Sequence, residues 1–146
     1  MEEYGFNKDL SRDELAVSRT QGIIFEECQY LGVDAIDYIT KFMHSSAAEE
    51  LDKMQSGVYS AGSAPLKQYI LKQIEPVEPY NEKKHINEDA LNWLGYIYRY
   101  WVNLLGVSSK ELIDNIPVDS ALAFYPAYHC IGNKEAISHL RHQFGS

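Results

Sequence analysis

The chain has 146 residues, 45% of them hydrophobic, and sets 21 acids against 13 Lys and Arg for a formal charge of −8. That length and apolar content suit one globular domain with a core of ordinary size and exclude a disordered chain. The acidic balance argues against general nucleic-acid binding and against an anionic membrane surface. Phosphate neutralisation needs clustered Lys and Arg, and Lys83-Lys84 is the one pair that resembles a cluster.

In chain order, Ser11-Arg-Asp-Glu14 is a capping box that opens a helix predicted to run to Leu31 and to stop at Gly32. Leu15, Ile23 or Ile24, Cys28 and Leu31 supply its inner face. Asp34 starts a second helix through Ile36, Ile39, Phe42 and Met43. Ser46-Ala-Ala-Glu49 reads as another capping box, for a short third helix ending near Met54. Gln55 to Ala64 is rich in Ser and Gly and reads as a loop, and Pro65 sits in the first turn of a fourth helix using Leu66, Tyr69, Ile70 and Ile74. The segment 75–86, with Pro76, Pro79 and alternating charges, is a surface crossing between two halves of one domain rather than regular structure.

Residues 87 to 106 give the clearest signal. Leu91, Leu94, Tyr98, Trp101 and Leu105 follow the spacing 3-4-3-4, and Trp93, Ile97, Tyr100 and Leu104 widen the same stripe. Asn87 can cap this helix, Glu88 and Asp89 suit its positive end, and Gly106 suits the left-handed residue after its last turn. Gly95, in mid-helix, costs about 1 kcal/mol relative to Ala, so close approach of another backbone is expected there. Beyond it, Ser108-Ser-Lys-Glu111 caps a short helix that stops before Pro117. Asp119 to Tyr128 reads as helical with a kink or break at Pro126, and Asn133 begins a last helix through Ala136, Ile137, Leu140 and Phe144. Gly145-Ser146 reads as a frayed end or an expression scar. Sustained alternation with β-branched enrichment is missing, so strands are few or none. The expected fold is an all-α single domain, residues 1–146, of about seven or eight helices around the helix 87–105.

Chemical motifs are sparse. Cys28 and Cys130 cannot make a disulfide framework and read as reduced, buried thiols. With no run near the ~18 apolar residues of a membrane span and no secretory signal at the N-terminus, the expected compartment is the cytoplasm. His139 and His142 have a helical ligand spacing, but no Glu-x-x-His or Cys-x-x-Cys accompanies them, so no metal is expected. Phosphate-binding glycine patterns are missing, and no cofactor is expected. His129 and Cys130 are adjacent in sequence and point about 100° apart on a helix, so they make no dyad. Arg99 has no His four to six residues on, as helical nucleases of that type require. The chain reads as a non-enzyme.

What remains is a polar line on the central helix: Asn92, Tyr96, Arg99 and Asn103, spaced 4-3-4. It is either a solvent face or a contact patch in which Arg99, among Tyr96, Tyr98 and Tyr100, meets a protein partner. Tyr, Trp and Arg dominate protein–protein hot spots because they combine area with a polar handle. Tyr125-Pro-Ala-Tyr128-His129 repeats that chemistry near a helix break, and eleven tyrosines are more than a core of this size absorbs. The candidate partner-binding residues are therefore Asn92, Tyr96, Arg99, Asn103, Tyr125, Tyr128 and His129. Arg99 itself has three candidate counterparts: a partner, a carboxylate of its own chain, or water.

The strings Trp93-Leu-Gly-Tyr-Ile-Tyr-Arg-Tyr-Trp101, Ser108-Ser-Lys-Glu-Leu-Ile113, Tyr125-Pro-Ala-Tyr-His129 and Phe42-Met-His-Ser-Ser-Ala-Ala-Glu-Glu-Leu-Asp52 resemble a group of small helical proteins of bacterial mobile elements, encoded beside toxins that look like ADP-ribosyltransferases. The resemblance spans roughly residues 15 to 140 and brings no catalytic residues with it. It implies an antitoxin-like or accessory role, neutralising or modulating a toxin or defence-system partner by binding it, with homodimerisation compatible. The alternative is a phage-type inhibitor, anti-defence or anti-CRISPR-like, whose acids Glu26, Glu27, Asp34, Asp37, Glu49, Glu50 and Asp52 present an acidic surface in place of nucleic acid.

Overall fold

The computed structural model describes residues 5–54 and 62–145, which include nine α-helices. The expected Ser/Gly-rich loop lies outside the described residues over 55–61, as do residues 1–4 and Ser146. Among the described residues there is no strand, and Val33 and Pro79 form an isolated antiparallel bridge.

α1 (Arg12–Glu27) opens on the full capping box: Glu14 N–H donates to Ser11 Oγ at 3.1 Å, and Ser11 N–H donates to Glu14 Oε1 at 2.9 Å. The chain tightens into a 3₁₀ turn, Cys28–Leu31, and ends at Gly32 with φ 81°, a conformation that costs other residues strain. Of the two isoleucines considered for the inner face, Ile24 is buried and Ile23 is exposed. Buried Gln21 and Gly22 share that face, which makes it more polar than its aliphatic spacing indicates.

α2 (Ala35–Met43) is capped by Asp34. The cap of α3 (Ser46–Asp52) is Ser45, one residue before the serine expected: Ser45 Oγ accepts from Ala48 N–H at 3.2 Å, while Ser46 Oγ turns to Gln73. α4 (Ser63–Ile74) follows and hands over to the crossing segment. Three hydrogen bonds tie that segment to the start of α2: Asp34 N–H to the Glu78 carbonyl at 2.8 Å, Tyr80 N–H to the Gly32 carbonyl at 2.9 Å, and Glu78 N–H to Asp37 Oδ2 at 2.8 Å. The crossing is mostly irregular as expected, apart from one 3₁₀ turn at Glu82–Lys84.

α5 (Glu88–Leu105) is the central helix. Asn87 Oδ1 accepts from Ala90 N–H at 3.1 Å, and Gly106, at φ 68°, closes the far end. Twelve of its 18 residues are buried, which only a helix enclosed on most sides can achieve. α1 lies along it, and the helices after it contact it in turn: α6 (Ser109–Asn115), α7 (Val118–Leu122), α8 (Tyr125–Tyr128) and α9 (Asn133–Phe144). α2 forms a second layer against α3, α4, α6 and α7. The close approach expected at Gly95 is present. A Cβ there would lie 2.6 Å from the Gln21 carbonyl oxygen and 2.8 Å from Gly22 Cα, so the two glycines set the α1–α5 distance. Tyr98 is buried with its hydroxyl donating to the Ile116 carbonyl at 2.6 Å.

One expectation is adjusted and one corrected. The break expected at Pro126 between Asp119 and Tyr128 is present but falls earlier, at Ala123-Phe124, and separates α7 from α8. The ring of Pro126 would clash with the Leu122 carbonyl in a continuous helix, so α7 ends at Leu122 and Pro126 falls in the first turn of α8. Cys130 is exposed in the turn after α8, whereas Cys28 is fully buried as expected. Burial pushes the Cys28 thiol up to about 12. No helix among the described residues is long and apolar enough to cross a membrane.

Candidate binding groove

The polar line of α5 does not form one surface. Its four residues divide between the interior and a groove, because different elements cover the two ends of the helix.

Arg99 is fully buried and is not a surface contact residue. Its Nε donates to Gln21 Oε1 at 2.9 Å, Nη2 donates to Ser109 Oγ at 3.0 Å, and Nη1 donates to Asp52 Oδ1. Asp52 Oδ2 also accepts the Ser109 N–H at 2.9 Å, at the positive end of α6. Gln21 Nε2 donates to the Gly95 carbonyl at 3.0 Å, closing the set. One guanidinium thus fastens α1, the end of α3 and the start of α6 to α5. Burial pushes the Arg99 pKa down and the Asp52 carboxylate pushes it back up; arginine keeps its proton even here. Of the three counterparts considered for Arg99, the carboxylate of its own chain is the one present.

Asn103 is also buried rather than part of a contact face. Its Nδ2 has no acceptor among the described residues, and its carbonyl accepts from Lys8 Nζ at 2.8 Å. It lines a hollow with Lys8, Glu14, Asp52, Ser108 and Glu111, where Lys8 is paired to Glu14 at 3.2 Å. Burial raises the Glu14 carboxyl, but hydrogen bonds from Ser11 and Lys8 outweigh it and leave the group below its ordinary value.

Asn92 and Tyr96, by contrast, reach the surface, half-buried, and the fold brings Tyr125 and His129 of the α8 region to them. Together with Trp93, Glu26 and Asp89 they line a shallow open groove. The Trp93 and Tyr125 rings meet edge to face with centroids 5.7 Å apart, and His129 stacks on Tyr125 at 4.4 Å. His129 Nδ1 donates to the Tyr125 carbonyl at 2.7 Å. Asn92 Nδ2 donates to Glu26 Oε1 at 2.9 Å and fixes that carboxylate at the rim. Tyr128 is not part of the groove: it stacks on Phe124 and His139, each at 5.3 Å, and joins α8 to α9. Trp93 and Asp89 were not singled out as site residues, and Glu26 was considered only as part of an acidic surface. Trp93 carried a signal in its place on the edge of the apolar stripe beside Asn92.

The acids considered as a nucleic-acid-like surface are engaged within the chain. Asp34 caps α2, Asp37 pairs with Lys41 at 3.1 Å, Glu27 with Lys67 at 2.7 Å and Glu49 with Lys53 at 2.8 Å. Glu50 accepts from the Tyr69 hydroxyl at 3.3 Å, Glu26 holds Asn92, and Asp52 holds Arg99. Among the described residues no three His, Cys, Asp or Glu side chains converge as metal ligands. His139 lies 3.9 Å from Glu135 instead.

Comparison of the chain with protein-family models, with curated proteins and with solved structures finds no match.

Proposed function

We propose that this chain is a protein-binding module of antitoxin-like or accessory kind, and that it holds a toxin or defence-system partner in the groove between α5 and α8. The observation that supports this reading is the meeting of two aromatic clusters, far apart in sequence, at one surface. Asn92, Trp93 and Tyr96 on α5 face Tyr125 and His129 across a groove with no lysine or arginine among its described lining residues. Aromatic rings with polar tips, half-buried and held by their neighbours, lose little entropy on binding and give up a large area. Arg99 has no direct part in binding; it holds together the helices that carry the groove.

The reading is tested by co-expression with the product of the neighbouring gene, which it takes to be a toxin. Protection of growth by the natural sequence, and its loss in a folded Tyr96→Ala/Tyr125→Ala variant, is the outcome expected. Equal protection by both would remove the groove from the account. The alternative of an acidic surface that displaces nucleic acid draws less support, since its acids are engaged in pairs, caps and hydrogen bonds within the chain.

A further inference from the structure

We infer that the groove takes an arginine side chain from a basic segment of the partner; this rests on the binding reading above and specifies its chemistry. The groove offers three aromatic side chains, Trp93, Tyr96 and Tyr125, and two carboxylates, Glu26 and Asp89. Among the described lining residues there is no Lys or Arg to balance those acids, and His129 is engaged with Tyr125. Asn92 occupies Oε1 of Glu26 and leaves Oε2 to serve a second donor. Asp89 stands exposed in the first turn of α5.

Each other occupant fits worse. An apolar side chain seated on the rings would strip water from Glu26 and Asp89 and return no hydrogen bond. An acidic segment would meet two carboxylates and a chain of net charge −8. A guanidinium answers both features at once: its flat face stacks on Trp or Tyr, and its edge donates in parallel to a carboxylate. Lysine offers a point charge without the stacking plane or the fork, so arginine is preferred. The overall negative charge speeds the approach of a basic segment and makes it sensitive to salt.

The chain has two tryptophans, and Trp101 is 3% exposed, so the indole N–H resonance of Trp93 reports on the groove. The full chain is titrated with the capped peptide acetyl-Gly-Arg-Gly-Arg-Gly-amide and, in parallel, with the same peptide carrying citrulline, which keeps the shape and loses the charge. A saturable shift of the Trp93 resonance is expected with the arginine peptide. Binding should weaken by about tenfold or more with citrulline, and likewise in Glu26→Gln/Asp89→Asn, whose exposed and half-buried positions leave the fold intact. No shift with the arginine peptide, or equal binding of the citrulline peptide, would overturn the assignment. If partner protection still depends on Tyr96 and Tyr125 in that case, the arginine assignment alone falls; if neither holds, the binding reading falls with it.

Discussion

Arg99, at the middle of α5, is ion-paired with Asp52, 47 residues earlier at the end of α3, and is itself shielded from water. The pair draws in Ser109 and Gln21, so four separate segments meet at one charge. Such a charge is costly to bury and tolerable only while its partners remain. Replacing Arg99 with Leu therefore leaves Asp52 held by Ser109 alone, and a loss of about 3–5 kcal/mol in urea unfolding is expected. Arg99→Lys keeps the charge but cannot reproduce donation from Nε and both Nη atoms, so it should rescue only part of the loss. The double variant with Asp52→Leu should be less destabilised than the two single losses added together. An Arg99→Leu variant within about 0.5 kcal/mol of the natural sequence would place Arg99 outside the interior.

Gly95 makes the second prediction. Alanine is the better helix former by about 1 kcal/mol, so Gly95→Ala would stabilise an exposed helix. Here the added methyl would stand 2.6 Å from a backbone oxygen of α1, and backbone cannot swing aside as a side chain can. A net loss of about 1–3 kcal/mol is expected from separating α1 and α5. Gly22→Ala, whose Cβ would meet the Asn92 carbonyl at 3.0 Å, should cost less. Thermal unfolding of the two variants orders them directly.

Glu14 links stability to pH. Its folded-state pKa lies below the ordinary 4.5 because Ser11 and Lys8 favour the carboxylate. The folded chain therefore holds that proton less tightly than the unfolded chain. The resulting stabilisation is complete above the unfolded value and fades as pH falls through the folded one. Glu14→Gln should bring the variant's stability closer to that of the natural sequence in acid than at pH 7. A difference that stays constant across that range would exclude the linkage.

The two thiols should separate cleanly. Cys28 is buried, with its pKa raised to about 12, and Cys130 is exposed. Iodoacetamide at pH 8 should label Cys130 in the folded chain and reach Cys28 only after denaturation. Peptide mapping reads the outcome, and early labelling of Cys28 would contradict its burial.

The central helix was legible because its signals agree: the 3-4 spacing of Leu91, Leu94, Tyr98 and Trp101, the Asn87 cap, and a mid-helix glycine that only close packing justifies. Spacing places Asn92, Tyr96, Arg99 and Asn103 on one line, but it does not say what covers each part of that line. Coverage depends on where the end of α3, the start of α6 and the N-terminal Lys8 come to rest, and those are tertiary facts. A buried arginine demands a carboxylate, yet nothing local distinguishes Asp52 from the other 20 acids. The groove was legible in its halves, Asn92 with Tyr96 and Tyr125 with His129. Their meeting depends on the break at Ala123-Phe124, which reorients α8. Cys130 was misplaced because its apolar neighbours do not cover it: it lies in the exposed turn between α8 and α9.

The central claim is that the α5–α8 groove holds the partner. Its most direct test is the affinity of the purified chain for the product of the neighbouring gene, measured by calorimetry for the natural sequence and for a folded Tyr96→Ala/Tyr125→Ala variant. Loss of two hot-spot aromatics should weaken binding by about thirtyfold or more. An affinity unchanged by the double substitution would contradict the account.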